Sequence, residues 1–228
     1  MTTDARAGTD VLDALSVIVP IGPAETAHEG LLVQLRELPP GCERILVPAL
    51  GAIAPLHAPD CLVSPAPRGR ARQLNHGAGL ATRHWLWFLH ADSRFVPDTL
   101  PALRRFVSRS PPALGYFELR FVDGPAATRI NQAGAWLRSH LLGLPFGDQG
   151  LVLPRALFER IGPFDETVDR GEDHLLVWDA HFAGVPVRPV GAPLHSSARR
   201  YAEHGWLRTT ARHLLLTLRQ MAQARRRR

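Results

Sequence analysis

Two residues of the sequence, His90 and Asp92, stand directly after an unbroken apolar run, Trp85-Leu86-Trp87-Phe88-Leu89. Side chains alternate in an extended chain, so His90 and Asp92 project to the same side. An imidazole and a carboxylate placed together suit a divalent cation. The run itself reads as a strand buried on both faces, as in the middle of a parallel sheet. Ligands of open α/β sheets bind outside the carboxyl ends of such strands. On these residues alone the bland alternative stands beside the metal: an apolar strand whose Asp92 caps a turn before Pro97.

Four further groups of residues carry chemical potential. Arg68, Arg70 and Arg72 surround Gly69 at the start of a helix that continues through Asn75. A helix N-terminus favours anions, and arginine grips phosphate bidentately. The spacing is not that of a P-loop, and a solvated basic face is the plainer reading. Gly147-Asp148-Gln149-Gly150 places an acid and an amide in a tight loop, or forms an ordinary turn. Glu172 and Asp173 open a helix, where acids are favoured whatever the function. Ser196 to Tyr201 contains Arg199 and Arg200, a phosphate clamp or a charged surface loop.

The elements that must position these groups alternate. Strands are expected at 15–20, 44–47, 61–63 and 85–89, with helices at 24–38 and about 68–82 between them. A helix at 97–107, a strand at 115–122 and a helix at 128–142 follow. A strand at 151–153, helices at 154–161 and 172–182, and an edge-type strand at 185–190 complete the body. A final amphipathic helix runs from 205 to about 224. The alternation implies one α/β domain with a mostly parallel, Rossmann-like central sheet flanked by helices and a mixed C-terminal half. Residues 1–13 read as a flexible leader, 14–204 as the domain, and 205–228 as an amphipathic helix with an arginine tail.

The bulk composition agrees with a folded chain. Of 228 residues, 45% are hydrophobic and 21% charged, enough for one sizeable core and too apolar for disorder. Cys42 and Cys61 stand far apart and form neither a disulfide framework nor a zinc motif. No apolar stretch reaches the roughly 18–20 residues that span a bilayer. The net charge is +6, and all 27 basic residues are arginine. No interleaving of aromatic and basic residues marks a nucleic-acid surface, and no nucleic-acid partner is expected.

Taken in order, these motifs resemble the family-2 glycosyltransferases of GT-A fold, a small soluble bacterial subgroup most of all. Ser16-Val17-Ile18-Val19-Pro20 resembles the first strand of that family. Arg68-Gly69 through Asn75-His76-Gly77 resembles its segment beside the sugar nucleotide, and Phe88-Leu89-His90-Ala91-Asp92 its metal-binding D-x-D in an H-A-D form. Gly147-Asp148-Gln149-Gly150 resembles an acceptor-side loop. Phe164-Asp165-Glu166 with Glu172-Asp173 resembles a "G-F-D-E … E-D" segment, and Ser197-Ala198-Arg199-Arg200 a late arginine motif. The resemblance spans about residues 15–210.

It implies a metal-dependent, inverting transfer of a sugar from a nucleotide-diphosphate donor to an acceptor hydroxyl. Asp92 and His90 would hold Mn2+ or Mg2+. Arg68, Arg70, Arg72, Asn75, Asp92, Arg199 and Arg200 would face the donor, and Asp148 and Gln149 the acceptor. Asp173, or its neighbour Glu172, would take the acceptor proton. One segment departs from the family: Leu46-Val47-Pro48-Ala49-Leu50-Gly51-Ala52 lacks the acids that hold the nucleotide base, and only Glu25 stands near the place of an early "N-E". That departure keeps two rivals in view, a non-catalytic sugar-nucleotide-binding protein and a nucleotidyltransferase on a similar fold. The expected location is the cytoplasm, with peripheral contact of the basic C-terminal helix with anionic lipid at the inner membrane face.

Overall fold

The structure is a computed structural model that describes residues 10–23, 25–51, 58–109, 111–211 and 215, with Arg200, Glu203 and His204 described by backbone alone. Seven strands form one sheet: β1 (Leu15–Ile21), β2 (Glu43–Pro48), β3 (Leu62–Val63), β4 (Trp85–Phe88), β5 (Leu114–Phe121), β6 (Leu151–Pro154) and β7 (Val187–Ser196). Their order is β3-β2-β1-β4-β6-β5-β7. β6 runs antiparallel to both neighbours, β4 and β5, and the other pairs are parallel. The helices named among the described residues are α1 (His28–Leu35), α2 (Arg70–Leu80), α3 (Thr99–Val107), α4 (Thr128–Leu142), α5 (Arg155–Ile161), α6 (Glu172–Phe182) and α7 (Arg199–His204), the last following β7.

The apolar run at 85–89 is buried on both faces of the sheet. Trp85, Trp87 and Leu89 belong to the core under α1 and α3, and Leu86 and Phe88 to the core that includes residues of α2, α5 and α6. Trp87 is sandwiched between Phe95 and Phe117 at centroid distances of 5.2 and 5.4 Å. Burying each such side chain contributes about 1.5–3 kcal/mol, so the strand that ends at the site is held rigidly. β1 alternates in the same way, with Val17 and Val19 on one side and Ile18 on the other. Gly77 lets α2 press onto this face, since a Cβ there would lie 2.5 Å from Ile18 Cγ2.

Three elements differ from the expectation. The first helix stops at Leu35, where the Arg44 guanidinium takes the carbonyls of Leu35 and Leu38 at 2.8 and 2.7 Å. β7 continues past 190 to Ser196, because Gly191, at φ +88°, accommodates a register shift and pairing with β5 resumes at Pro193. Beyond Ser196, Ala198 leads into α7, a short helix not among those expected. At the other end, Asp10 caps a 3-10 turn, Val11–Ala14, and pairs with Arg104 of α3 at 2.7 Å. Residues 206–211 are helical, and Trp206 Nε1 donates to Asn131 Oδ1 of α4 at 2.6 Å. The arginine tail and most of the expected final helix lie outside the described residues.

Candidate functional site

A cavity of about 270 Å³ opens at the carboxyl edge of the sheet, lined by residues that include Pro20, Glu25, Arg70, Gln73, His90, Asp92, Asp148, Ser197, Arg199 and Tyr201. Each is brought there by a strand end or a helix start. β4 ends at Phe88 and delivers His90 and Asp92, whose Nδ1 and Oδ1 atoms lie 4.0 Å apart. The extended β7 delivers Ser196, whose Oγ donates to Asp92 Oδ2 at 3.1 Å, and the Ser197 N–H donates to the same oxygen at 3.3 Å. Backbone bonds between Arg94 and His195, 2.8 and 3.0 Å, lock the loop after β4 beside β7. Asp92 Oδ2 is thereby committed to β7.

Arg70 is the first residue of α2 and the hub of the site. Its Nε lies 2.9 Å from Glu172 Oε1 and its Nη2 3.6 Å from Asp173 Oδ2. Nη2 also donates to His90 Nε2. Arginine has no acceptor, so Nε2 must accept and the neutral ring carries its proton on Nδ1, toward Asp92. His90 is therefore presented to the cavity as a donor, and ligation through Nε2 would require Arg70 to withdraw. The Glu172 side chain is only 3% exposed, and burial raises its pKa first of all, opposed by Arg70 and assisted by Asp173.

The loop before β6 forms one wall of the cavity. Asp148 lines the cavity, and its Oδ1 is sealed from solvent without a hydrogen-bond partner among the described residues. Burial pushes its pKa up to about 6; Asp173 and Asp92 push the same way, against Arg138 and Arg70. Gln149 is turned inward instead. Its Nε2 donates to Phe117 O and Ser139 Oγ at 3.0 and 3.1 Å, and its Oε1 accepts from the Phe146 N–H at 3.1 Å. It anchors the turn and does not reach an acceptor. Arg138 of α4, stacked 3.5 Å from the Phe146 ring centroid, supports the same loop.

The structure separates the other expected donor residues. Arg70 and Arg199 line the cavity, Arg199 3.6 Å from Glu25. Arg68 is exposed outside it, and Arg72 lies 3.8 Å from Glu166 on the far side of α2. Asn75 makes paired bonds of 2.9 Å with the backbone N–H and carbonyl of Phe164, so it ties α2 to the loop before α6. The Arg200 side chain lies outside the described residues. Three further residues of the expected segments contribute without having been assigned a role of their own: Gln73, Ser196 and Tyr201. Gln73, one helical turn after Arg70, bridges the carbonyls of Ile21 and Val47 at 2.9 and 2.6 Å, and its spacing from Arg70 was the available signal. Tyr201 and the β7-borne Ser196 had no signal beyond their proximity to Arg199.

Gly147 is the tightest point. A Cβ there would lie 2.5 Å from Arg70 Nη2 and 2.6 Å from Asp173 Oδ2. Gly147→Ala should cost about 1–3 kcal/mol of stability through overpacking and displace Arg70 from the cavity. Thermal unfolding together with nucleotide-binding titration reads both effects, and an unchanged affinity would show that Arg70 does not depend on this turn.

Residues 60–163, a little under half of the chain, match the family model "Glycosyl transferase family 2". The fold agrees with solved glycosyltransferases. The mannosyltransferase PcManGT from Pyrobaculum calidifontis, in complex with GDP-Man and Mn2+, superposes at TM-score 0.68 with 19% identity over 92% of this chain and 64% of that one. S. aureus TarS 1-349 in complex with UDP-GlcNAc gives 0.63 and 17%, over 80% and 58%. Glucosyl-3-phosphoglycerate synthase from Mycobacterium tuberculosis, in complex with Mn2+, UDP and glucosyl-3-phosphoglycerate, gives 0.58 and 15%, over 82% and 73%. The chain spans less than two thirds of the first two proteins. No curated protein matches it in sequence. The mixed α/β fold is the one these solved glycosyltransferases share.

Proposed function

We propose that this chain transfers a sugar from a nucleoside-diphosphate donor to an acceptor hydroxyl. The observation that carries the reading is the convergence of Asp92, His90, Arg70 and Arg199 with Asp148 around one cavity at the carboxyl edge of the sheet. Arginines supply fixed positive charge for a diphosphate, and the Asp148 carboxylate in the cavity lining suits a hydroxyl. No group of three ligating side chains occurs among the described residues. Asp92, held at Oδ2 by β7, still offers Oδ1, and a single carboxylate is a sufficient protein share for Mg2+ or Mn2+ when donor phosphates and water complete the shell. Mn2+ in the mannosyltransferase and the synthase supports this choice. A bound cation would neutralise charge growing on the departing diphosphate.

The residues of the chain then divide the work. Arg70 and Arg199 bind and orient the diphosphate, and the Ser196 and Ser197 contacts fix the rotamer of Asp92. The proton of the acceptor goes to one of three acids, Asp173, Glu172 or Asp148, of which the family resemblance favours Asp173. Attack opposite the leaving group inverts the anomeric carbon. Residues 46–52 carry none of the acids of the family pattern, and there Gln73 Nε2 donates to the carbonyls of Ile21 and Val47 at 2.9 and 2.6 Å. No described helix is long and apolar enough to cross a membrane, and the proposed peripheral contact with anionic lipid rests on the basic C-terminal segment.

The test is nucleoside-diphosphate release from UDP-Glc, UDP-GlcNAc and GDP-Man in the presence of Mn2+, with the product anomer read by NMR. Release from at least one donor with inversion is expected. Binding without release would favour the non-catalytic reading, and neither binding nor release would refute the proposal.

A further inference from the structure

Gly30 stands inside α1, where glycine costs helix stability relative to alanine. The space beside it is filled. A Cβ there would lie 2.7 Å from both Nε and Nη2 of Arg94. Every hydrogen bond that the Arg94 guanidinium makes among the described residues goes to a backbone carbonyl. Nη2 donates to Ala27 O at 2.7 Å, and Nη1 to Ser93 O at 2.7 Å and Ala91 O at 3.5 Å. These carbonyls belong to two loops of the site. Ala27 directly precedes α1, and its N–H donates to Glu25 Oε1 at 2.8 Å, while Glu25 Oε2 lies 3.6 Å from Arg199 Nη2. Ala91 and Ser93 flank Asp92. Glu25, Asp92 and Arg199 all line the cavity. A separate clamp docks α1: Gln34 Nε2 donates to Phe95 O at 3.0 Å, and Gln34 Oε1 accepts the Phe95 N–H at 2.7 Å. Leu31 and Leu35 of the same helix are buried in the core.

We propose that Arg94 is a positioning residue of the donor site: its guanidinium sets the loop that carries Glu25 against the turn that carries Asp92, and Gly30 leaves it the room to do so. This rests on the sugar-transfer reading above. Arg94 acts through Ala27, Ala91 and Ser93. The Gln34 clamp and the buried leucines hold α1 in place without it, so its own contribution is the register between the two loops. Arginine suits the task because its planar fork donates in two directions at once, whereas lysine keeps the charge on one compact ammonium. With the fork displaced, Asp92 stays bonded to Ser196 and Ser197 of the β7 end, and the Glu25–Arg199 pair loses its fixed distance from it. A diphosphate that needs Arg199 and the Asp92 carboxylate together then meets a misaligned site. Gly30 itself lies outside the cavity lining. The atoms that a Cβ would meet there are the far end of a flexible side chain, so Gly30→Ala moves the guanidinium and leaves the fold intact.

The experiment uses the full chain and three readouts: thermal unfolding without nucleotide, calorimetric titration of UDP and GDP in Mn2+, and hydrolysis of UDP-Glc, UDP-GlcNAc and GDP-Man. Gly30→Ala should lower kcat/KM for hydrolysis by about 10²-fold, the scale of a misplacement of about 1 Å. It should also weaken Mn2+-dependent nucleotide binding. Its melting temperature should hold or rise, since alanine favours the helix. Arg94→Lys should show the same functional loss with the charge retained. Gly30→Ala/Arg94→Ala should be no worse than Arg94→Ala alone, because no guanidinium is left to displace. Wild-type binding and turnover in Gly30→Ala or Arg94→Lys would overturn the assignment. Losses that only accompany a fall in melting temperature, or that add in the double variant, would overturn it too. Each of these results leaves the transfer reading intact. A wild type that binds neither nucleotide and hydrolyses none of the donors would remove the transfer reading, and this assignment with it.

Discussion

Asp92→Asn is expected to lower sugar transfer by about 10²–10³-fold, the scale of losing one electrostatic contact to a developing charge. The change is nearly isosteric. The amide oxygen can still accept from Ser196 Oγ and the Ser197 N–H, which now bond Oδ2. The loop after β4 should therefore keep its place against β7, and the melting temperature should stay within about 2–4 °C, a change of roughly 1 kcal/mol for a chain of this size. What disappears is the charge at Oδ1. Mn2+ should raise the thermal stability of the wild type in the presence of UDP or GDP and leave Asp92→Asn unmoved. Equal activity in the two proteins would mean that Asp92 is only the clamp between β4 and β7.

Arg70→Ala should be the most destabilising change in the site. The guanidinium is the partner of Glu172, a carboxylate 3% exposed, and it touches Asp173 and His90 as well. Removing one member of a buried pair leaves the other charge unpaired, at a cost of about 3–5 kcal/mol. Arg70 is itself 36% exposed, and water at the cavity mouth screens part of the loss. A value near the lower end, about 3 kcal/mol, corresponds to a drop of roughly 6–12 °C. The pH dependence follows from Glu172. Its folded pKa is raised, so its protonated form is the one the fold favours, and stability falls as pH rises from the ordinary carboxylate range through that raised value. Without Arg70 the rise is larger. The defect should be greatest at pH 8 and fade toward pH 5, and Arg70→Ala/Glu172→Gln should recover most of it. Thermal melts across that range decide the matter. A defect independent of pH and unrelieved by the second substitution would show that the pair does not carry it.

Much of this arrangement could be read from the residues because local pattern and burial agree. The run at 85–89 is apolar at every position since both faces of β4 are covered, and that also marks where the strand must end and the polar residues begin. Strand alternation is not what joins His90 and Asp92: β4 ends at Phe88, and a turn closed by the Ser93 N–H on the His90 carbonyl at 3.0 Å carries both residues. Arg70 is legible from Gly69, which starts α2 at φ +138°. The rest depended on contacts distant in sequence. Leu151-Val152-Leu153 carries no sign of direction, and only its neighbours β4 and β5 make β6 antiparallel. The expected strand stops at Val190, whereas β7 passes Gly191 and Pro193 with a bulge and brings Ser196 to Asp92. Asn75 and Gln149 are polar residues in the expected motifs, yet their amides are spent on backbone and core partners. Residue type shows that a side chain can bond a ligand; only the fold shows that its bonds are already made.

Titration calorimetry of UDP and GDP into the full chain, in Mn2+ and in EDTA, tests the central claim most directly. The account predicts saturable binding of one nucleoside diphosphate that requires Mn2+ and weakens at least about tenfold, 1.4 kcal/mol, in Asp92→Asn. Binding of neither nucleotide, or equal Mn2+-dependent affinity in Asp92→Asn, would contradict it.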